Sequence, residues 1–443
     1  MGIPKYLSII TKSFSCYENP SNIHTLCIDI NYILHSLCKR ATDDDHFKVL
    51  LVKELRGIIR RFKPTNTIAL FADGQAVLAK AKTQIKRRKK YLYDPPSNIS
   101  GLHLTAGTPF MEFVDFIIIE FLRSLPNLKT FYSPSSQNNE GELKLFTWLN
   151  KANIQENILI FGHDSDLIVL SLKSKAPKLY LHFEKKYISI KKLVLALSKS
   201  LKVKFGLQNH PIKYDFILLS MMLGNDYLPN ICKFDTLWNA YLRLHKKKPS
   251  FLINKDKSIN LNNLKRFFRL ISSKQYIESS QKEVEYYLKS LNWNLNLYSD
   301  DVYPNFIPIK NGVDIKSIIK FMPESIDLNY GKKEWLKSDV FLLLLIPSTG
   351  QHILPKKLQP YMESDSPIYD LFPKACQECI EWKEKIRNLP KIEDDMKEDQ
   401  ITEIRNITRK VNEGYKLHRL EFHPEKDLPI QRISDAIYAN SEN

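Results

Sequence analysis

The chain is poor in cysteine, histidine and glycine, with 6, 11 and 13 of these among 443 residues. It also lacks a long apolar run. Phe116–Ile119 and Val340–Ile346 are far shorter than the ~20 residues a membrane helix needs, so no membrane association is expected. The opening MGIPKYLSII has no charged segment followed by a long apolar core, which argues against a secretory signal. Tyr6 stands where myristoylation calls for Ser or Thr. An intracellular, soluble protein is expected, cytoplasmic rather than nuclear. Cys16, Cys27, Cys38 and Cys232 are scattered and suit reduced thiols, not a disulfide framework. Cys376 and Cys379 form a single CxxC without a second pair, a His pair or a strand-turn-helix context, so zinc or redox chemistry is not expected there and they read as two incidental thiols on a helix. Internal repeats and low-complexity tracts are missing too.

Basic residues are plentiful. Sixty-six Lys and Arg against 49 Asp and Glu leave a formal charge of +17, which points to a polyanionic partner. Hydrophobic content of 43% with 26% charged residues is that of a globular protein.

Strand and helix signals alternate through the first 230 residues. Short β-rich runs occur at Thr25–Asp29, Thr67–Ala72, Thr130–Tyr132, Asn157–Phe161 and Lys178–Phe183. Helical patterns separate them at Phe47–Phe62, Ala76–Tyr93, Phe110–Ser124 and Glu140–Asn150, and another covers Tyr214–Leu223. This alternation predicts an α/β fold, a mostly parallel twisted sheet flanked by helices. Beyond about residue 245, Lys- and Asn-rich linkers separate amphipathic helices and β signals fade. The expected organisation is an α/β domain over 1–245, a mainly helical C-terminal lobe over 246–420 and a polar tail over 421–443.

Seven carboxylates stand out because they end apolar runs or flank glycine turns: Asp29, Asp73, Glu140, Glu142, Asp164, Asp166 and Asp226. An ionised carboxylate beside a buried strand is costly unless a cation compensates it. The ends of strands are also where open α/β sheets build their sites. Hard oxygen donors with few His or Cys neighbours suit Mg²⁺ or Mn²⁺. Seven acids exceed what one ion can use, so two ions are expected, as in phosphoryl-transfer sites with metals about 3.5–4 Å apart. If the strand before Asp164 stays extended through Asp166, those two side chains face one side.

After Asp73 comes AKAKTQIKRRKKY. Lys80, Gln84, Arg87 and Arg88 fall at helical offsets that share one face, and converging guanidinium, ammonium and amide donors make a phosphate clamp. His35 lies one helical turn after Asn31, and Trp293 sits in YYLKSLNWNLNLY. Taken alone, each is more often structural than functional.

These segments resemble the 5′-to-3′ exoribonuclease (XRN) family nearly end to end. MGIPKYL is similar to the family's start, CIDINYILH to its D-x-N-x-x-x-H segment, and ADGQAVLAKAKTQIKRRKK to its basic block. LTAGTPFM, NEGELK, GHDSDLIVL and LGNDYLPN follow in the family's order. YYLKSLNWNLNLYSDDVYPNFIP, LLIPSTGQHILP and DSPIYDLFP continue the likeness. The resemblance implies a PIN/flap-nuclease-like core and two divalent ions held by the seven acids. It implies a 5′-monophosphate pocket at Lys80, Gln84, Arg87 and Arg88, with His35 and Trp293 stacking on the leading bases. The activity implied is hydrolysis of single-stranded, 5′-monophosphorylated RNA to mononucleotides in RNA decay. Leu143 replaces the family's His after the acidic doublet, and Val77 its Pro after Asp-Gly; no carboxylate or clamp residue is lost.

Two rival readings differ in class. A flap-type DNA nuclease would follow its last Asp with a glycine-rich helix-hairpin-helix, whereas no glycine occurs here between Gly224 and Gly312. A non-catalytic RNA-binding scaffold on a decayed nuclease fold would have lost metal ligands.

Overall fold

The computed structural model describes residues 3–93, 98–183, 185–201, 211–271, 278–297, 302–372, 374–393, 396–422 and 427–438, the side chains of 419–422 excepted. Six strands form one sheet: β1 (Thr25–Asp29), β2 (Thr67–Phe71), β3 (Lys129–Ser133), β4 (Ile158–Phe161), β5 (Leu179–Phe183) and β6 (Lys186–Ser189). Their order is β3-β2-β1-β4-β5-β6. All pairings are parallel except that of β5 with β6. The expected mostly parallel sheet is therefore present, and five of its strands lie within a residue or two of the runs read from the sequence. The hairpin strand β6 was not anticipated.

Strand β1 is buried along its whole length because both faces of the sheet are covered. Leu26 and Ile28 pack with Ile68, Leu70 and Leu159 on one side. Cys27 packs with Ala69, Phe71, Ile158 and Ile160 on the other. The first helices are α1 (Tyr6–Ser13), α2 (Asn31–Cys38), α3 (Asp44–Phe62) and α4 (Leu78–Arg88). After them come α5 (Pro109–Arg123), α6 (Gly141–Ala152) and α7 (Asp166–Lys173). Asp43 caps α3 by accepting from the His46 N–H at 2.8 Å, and Thr108 caps α5 ahead of Pro109.

The chain first builds outward from β1 through β2 to β3, then returns to place β4 on β1's other flank. That reversal makes a crevice at the carboxyl ends of β1 and β4, where doubly wound sheets bind their ligands.

The chain divides into two compact units, Met1–Thr83 with Asn98–Ser338, and Gln84–Ser97 with Asp339–Asn443. The first unit extends well past residue 245: Leu264, Phe267, Val284, Leu288 and Ile318 share a core with the strands. In the second unit, the helix Ile430–Tyr438 buries Ile433, and Arg432 pairs with Asp370 at 2.8 Å. Among the described residues, no helix is long and apolar enough to cross a membrane.

Candidate active site

The acids arrive at the crevice by separate routes. Asp29 is the last residue of β1, and Asp73 lies two residues beyond β2. Asn31, at the start of α2, joins them. Its Nδ2 donates to Asp29 Oδ1 and to Asp73 Oδ1, each at 2.7 Å, while its Oδ1 accepts the Asp73 N–H at 2.9 Å. The Gly141 N–H also donates to Asp73 Oδ1 at 2.7 Å. A Cβ at Gly141 would lie 3.0 Å from both Asn31 Nδ2 and the Phe71 carbonyl, so this close backbone approach favours glycine. Glu140 is the N-cap of α6 and Glu142 is in its first turn, where the helix dipole favours negative charge.

Asp164 and Asp166 follow β4, but the chain does not stay extended. Ser165 is helical (φ −69°, ψ −18°) and Asp166 opens α7. The alternation argument for these two side chains is therefore corrected. Asp164 Oδ1 accepts the Asp166 N–H at 3.0 Å, and this Asx turn brings the carboxylates together instead. Asp166 Oδ1 accepts the Ile3 N–H at 3.0 Å. Asp226 is presented by a turn in which Gly224 has φ +82° and Asn225 Oδ1 accepts the N–H groups of Tyr227 and Leu228, both at 2.9 Å.

Electrostatics ties the seven into one group. Burial, and then the neighbouring Asp73, pushes the Asp29 carboxyl up to about 7. Burial and then Asp164 do the same to Asp166, also to about 7. Loss of solvent, Asp164 and Glu140 push Glu142 well above the usual carboxylate range. The counter-charge inside this nest is Lys80, which pairs with Glu140 and lies 3.4 Å from Asp226. Burial opposes its charge, but Glu140, Glu142 and Asp226 outweigh that and hold it well above the ordinary lysine value.

Lys80 is thus engaged with the acids, at one end of the clamp read from the sequence. Gln84, Arg87 and Arg88 lie further along α4, in the second unit. His35 is exposed on α2. Trp293 is 2% exposed and presents no open face to a base: it donates to the Tyr303 carbonyl at 3.2 Å and meets Tyr227 edge-on at 5.6 Å. Tyr227 in turn donates its hydroxyl to Glu140 Oε2 at 2.7 Å, so Trp293 backs a residue that positions an acid.

The sequence reading missed Asn31, Tyr227 and an exposed ring stack beside Asp164, Tyr32 on His163 at 3.6 Å. The D-x-N spacing carried a signal for Asn31. Nothing local marked Tyr227, whose partner is 87 residues away.

The donor set suits a hard divalent cation. Several carboxylates are raised because burial and mutual repulsion outweigh the nearby lysines, Lys80 among the acids and the buried Lys144 towards Asp29 and Asp73, and all the donors are oxygens. The nest is splayed: no three of its acids bring one oxygen each within 4.8 Å of one another. Asn31→Ala removes both amide bridges between Asp29 and Asp73. By analogy with outer-shell partners of metal ligands, a roughly 10–100-fold loss of divalent-cation affinity is expected, read by calorimetric titration.

A family model described as the XRN 5′-3′ exonuclease N-terminus matches residues 1–100 and 94–185. Three curated relatives carry the name 5′-3′ exoribonuclease 1. That of Saccharomyces cerevisiae is 24% identical over 365 residues, 66% of this chain and 24% of that protein. That of Schizosaccharomyces pombe is 24% identical over 297 residues, 52% of this chain and 22% of that protein. That of Homo sapiens is 23% identical over 302 residues, 52% of this chain and 17% of that protein. The chain thus spans a quarter or less of these relatives' lengths. Among solved structures, the catalytic core of Rad2 in complex with DNA substrate (complex III) is 15% identical with a TM-score of 0.37. That match covers 80% of this chain and 95% of that one. The resemblance to XRN 5′-3′ exonucleases extends over half to two thirds of the chain.

Proposed function

We propose that this protein, similar over its first 185 residues to the XRN 5′-3′ exonuclease N-terminus, is a divalent-metal-dependent 5′-to-3′ exoribonuclease. Its substrate is single-stranded RNA bearing a 5′-monophosphate, and its products are mononucleotides. The observation that carries this reading is the gathering of seven acids from distant parts of the chain at the sheet's switch point, linked by Asn31, Lys80 and mutual repulsion.

Asp29, Asp73, Glu140, Glu142, Asp164, Asp166 and Asp226 would hold two Mg²⁺ or Mn²⁺ ions. Such ions supply Lewis-acid polarisation of the phosphodiester, a hydroxide-like water and charge neutralisation at the leaving 3′-oxygen. The protein's own part is arrangement. Asn31 fixes the spacing of Asp29 and Asp73, the Ser165 turn that of Asp164 and Asp166, and Tyr227 the direction of Glu140. Lys80 keeps positive charge among the acids before substrate arrives. His35 and the Tyr32–His163 pair offer exposed rings on which bases can stack, a contact worth about 1–3 kcal/mol per base.

Gln84, Arg87 and Arg88 on α4 recognise the terminal phosphate, Arg giving bidentate contacts. Arg88→Ala should cut the preference for 5′-phosphate over 5′-hydroxyl RNA by about tenfold or more, the worth of one charge-assisted hydrogen bond. Unchanged end selectivity removes the clamp from this account. The function as a whole is tested by one labelled RNA carrying a 5′-phosphate, triphosphate, hydroxyl or cap, with a DNA flap alongside. Mononucleotides from the 5′-phosphate RNA are expected. Flap cleavage without RNA degradation, or an intact RNA pool at every salt and metal concentration, overturns the proposal.

A further inference from the structure

A second cluster of ligand-type side chains lies in the second unit, among residues the proposed nuclease chemistry does not use. The helices Gln377–Arg387 and Glu398–Phe422 pack against one another. They have little apolar core between them: of their described residues only Cys379 (1% exposed) and His418 (8%) are buried. Their contact is nonetheless close. A Cβ on Gly414 would come 2.5 Å from the Trp382 ring. Trp382 lies one turn after Cys379 and Gly414 one turn before His418, so the Trp–Gly contact and the Cys–His contact are neighbouring rungs of one antiparallel pair.

Cys376 Sγ lies 3.7 Å from His418 Nε2, and the Cys379 sulfur comes within 4.8 Å of both. Among the described residues no other three His, Cys, Asp or Glu side chains gather so closely. Zinc bonds of about 2.3 Å to sulfur and 2.0–2.1 Å to nitrogen in a tetrahedron imply an S···N edge of about 3.6 Å, which is the spacing found. The surroundings favour ligation. Glu378 Oε2 lies 3.0 Å from His418 Nδ1, an outer carboxylate that fixes the ring and leaves Nε2 to face the sulfurs. Cys376 is the N-cap of its helix and Cys379 is in the first turn, where negative sulfur is stabilised. The Tyr93 hydroxyl bonds to Cys379 and to the Cys376 backbone, closing the side of the cluster.

We propose that Cys376, Cys379 and His418 form a structural zinc site that fastens the Gln377–Arg387 helix to the Glu398–Phe422 helix in place of an apolar core. Two sulfurs and an imidazole select zinc over Mg²⁺ or Ca²⁺, which separates this site from the all-oxygen nest. Tetrahedral zinc takes four donors, of which this trio supplies three. In sequence His423 follows His418 after four residues; it lies outside the described residues and is no part of the proposed set. The reading of Cys376 and Cys379 as incidental thiols is set aside, because their partner stands about 40 residues away and only the packing reveals it.

The test uses the full chain, purified under reducing conditions and dialysed against Mg²⁺ buffer. About one equivalent of zinc per chain should remain by elemental analysis, since a thiolate–imidazole site holds zinc through dialysis. Cobalt substitution should give a thiolate-to-cobalt charge-transfer band, which carboxylates cannot produce. The double variant Cys376→Ser, Cys379→Ser should lose the zinc and the band while keeping Mg²⁺-dependent RNA cleavage. Should that variant fail to fold, the wild type still decides the matter: both thiols resist alkylation until a strong zinc chelator is added. Zinc well below one equivalent, zinc without the charge-transfer band, thiols alkylated equally fast with and without chelator, or a Cys376–Cys379 disulfide found by mass spectrometry each overturns the proposal.

Discussion

Changing Asp164 and Asp166 together to alanine should lower RNA cleavage by about a thousandfold or more, the scale at which a preorganised electrostatic group contributes to catalysis. Binding of the same RNA at matched salt should change by less than roughly tenfold, because affinity for the strand comes mainly from phosphate contacts to basic residues. Both carboxylates also have structural duties: Asp164 accepts the Asp166 N–H, and Asp166 accepts the Ile3 N–H. Losing two such caps costs about 1 kcal/mol each, so part of the alanine effect could reflect loosened structure. The pair Asp164→Asn, Asp166→Asn resolves this, since each amide oxygen can still accept its hydrogen bond while the charge is gone. Both double variants should be equally inactive, with unfolding midpoints close to the wild type for the asparagine pair. Cleavage above about a tenth of wild type in the asparagine pair would show that these acids are not the catalytic ligands.

The second large effect concerns pH and metal together. Asp29 and Asp166 both stand near 7 in the metal-free protein, well above the ordinary aspartate value, through burial first and neighbouring carboxylates second. A carboxyl raised in the folded state binds a proton there that the unfolded chain has already released. Folding stability is therefore lost as pH climbs from about 4 towards 7, and the penalty is complete above 7. Without divalent ions, the variant Asp29→Asn, Asp166→Asn should be more thermostable than the wild type at pH 8. The two should converge near pH 4, where both aspartates are protonated. Millimolar Mg²⁺ or Mn²⁺ should raise the wild-type midpoint at pH 8 by several degrees and the variant's by clearly less, because the variant lacks two of the ligands that the wild type gains on deprotonation. Scanning calorimetry at both pH values, with and without metal, measures all of this. A variant less stable than the wild type at pH 8 without metal would mean that the acids are not in electrostatic conflict, and the reason for placing cations among them would go.

What the sequence by itself determined was local. The apolar LCI of TLCID closed by an acid, and TIALFADG doing the same, marked buried parallel strands with carboxylates at their carboxyl ends, because period and termination are properties of a few adjacent residues. Hence five strands, most of the helices between them and the acids at their ends were legible, though not α7 between β4 and β5. The hairpin strand β6 was not, since KYIS is short and its pairing with β5 supplies the structure. The bend at Ser165 was not, because an Asx turn competes with strand continuation by a single hydrogen bond.

Only the tertiary structure decided which distant groups meet. The return of β4 to the far side of β1 placed Asp164 near Asp29. Lys80 turned in among the acids because a buried ammonium is held by the carboxylates that surround it. Trp293 went inward, since a large apolar ring gains more from Tyr227 and Phe306 than from water. His418 reached Cys376 across the pair of helices Gln377–Arg387 and Glu398–Phe422. Periodicity tells a residue which face it occupies, but the neighbour on that face is chosen by packing between elements, which no local pattern records.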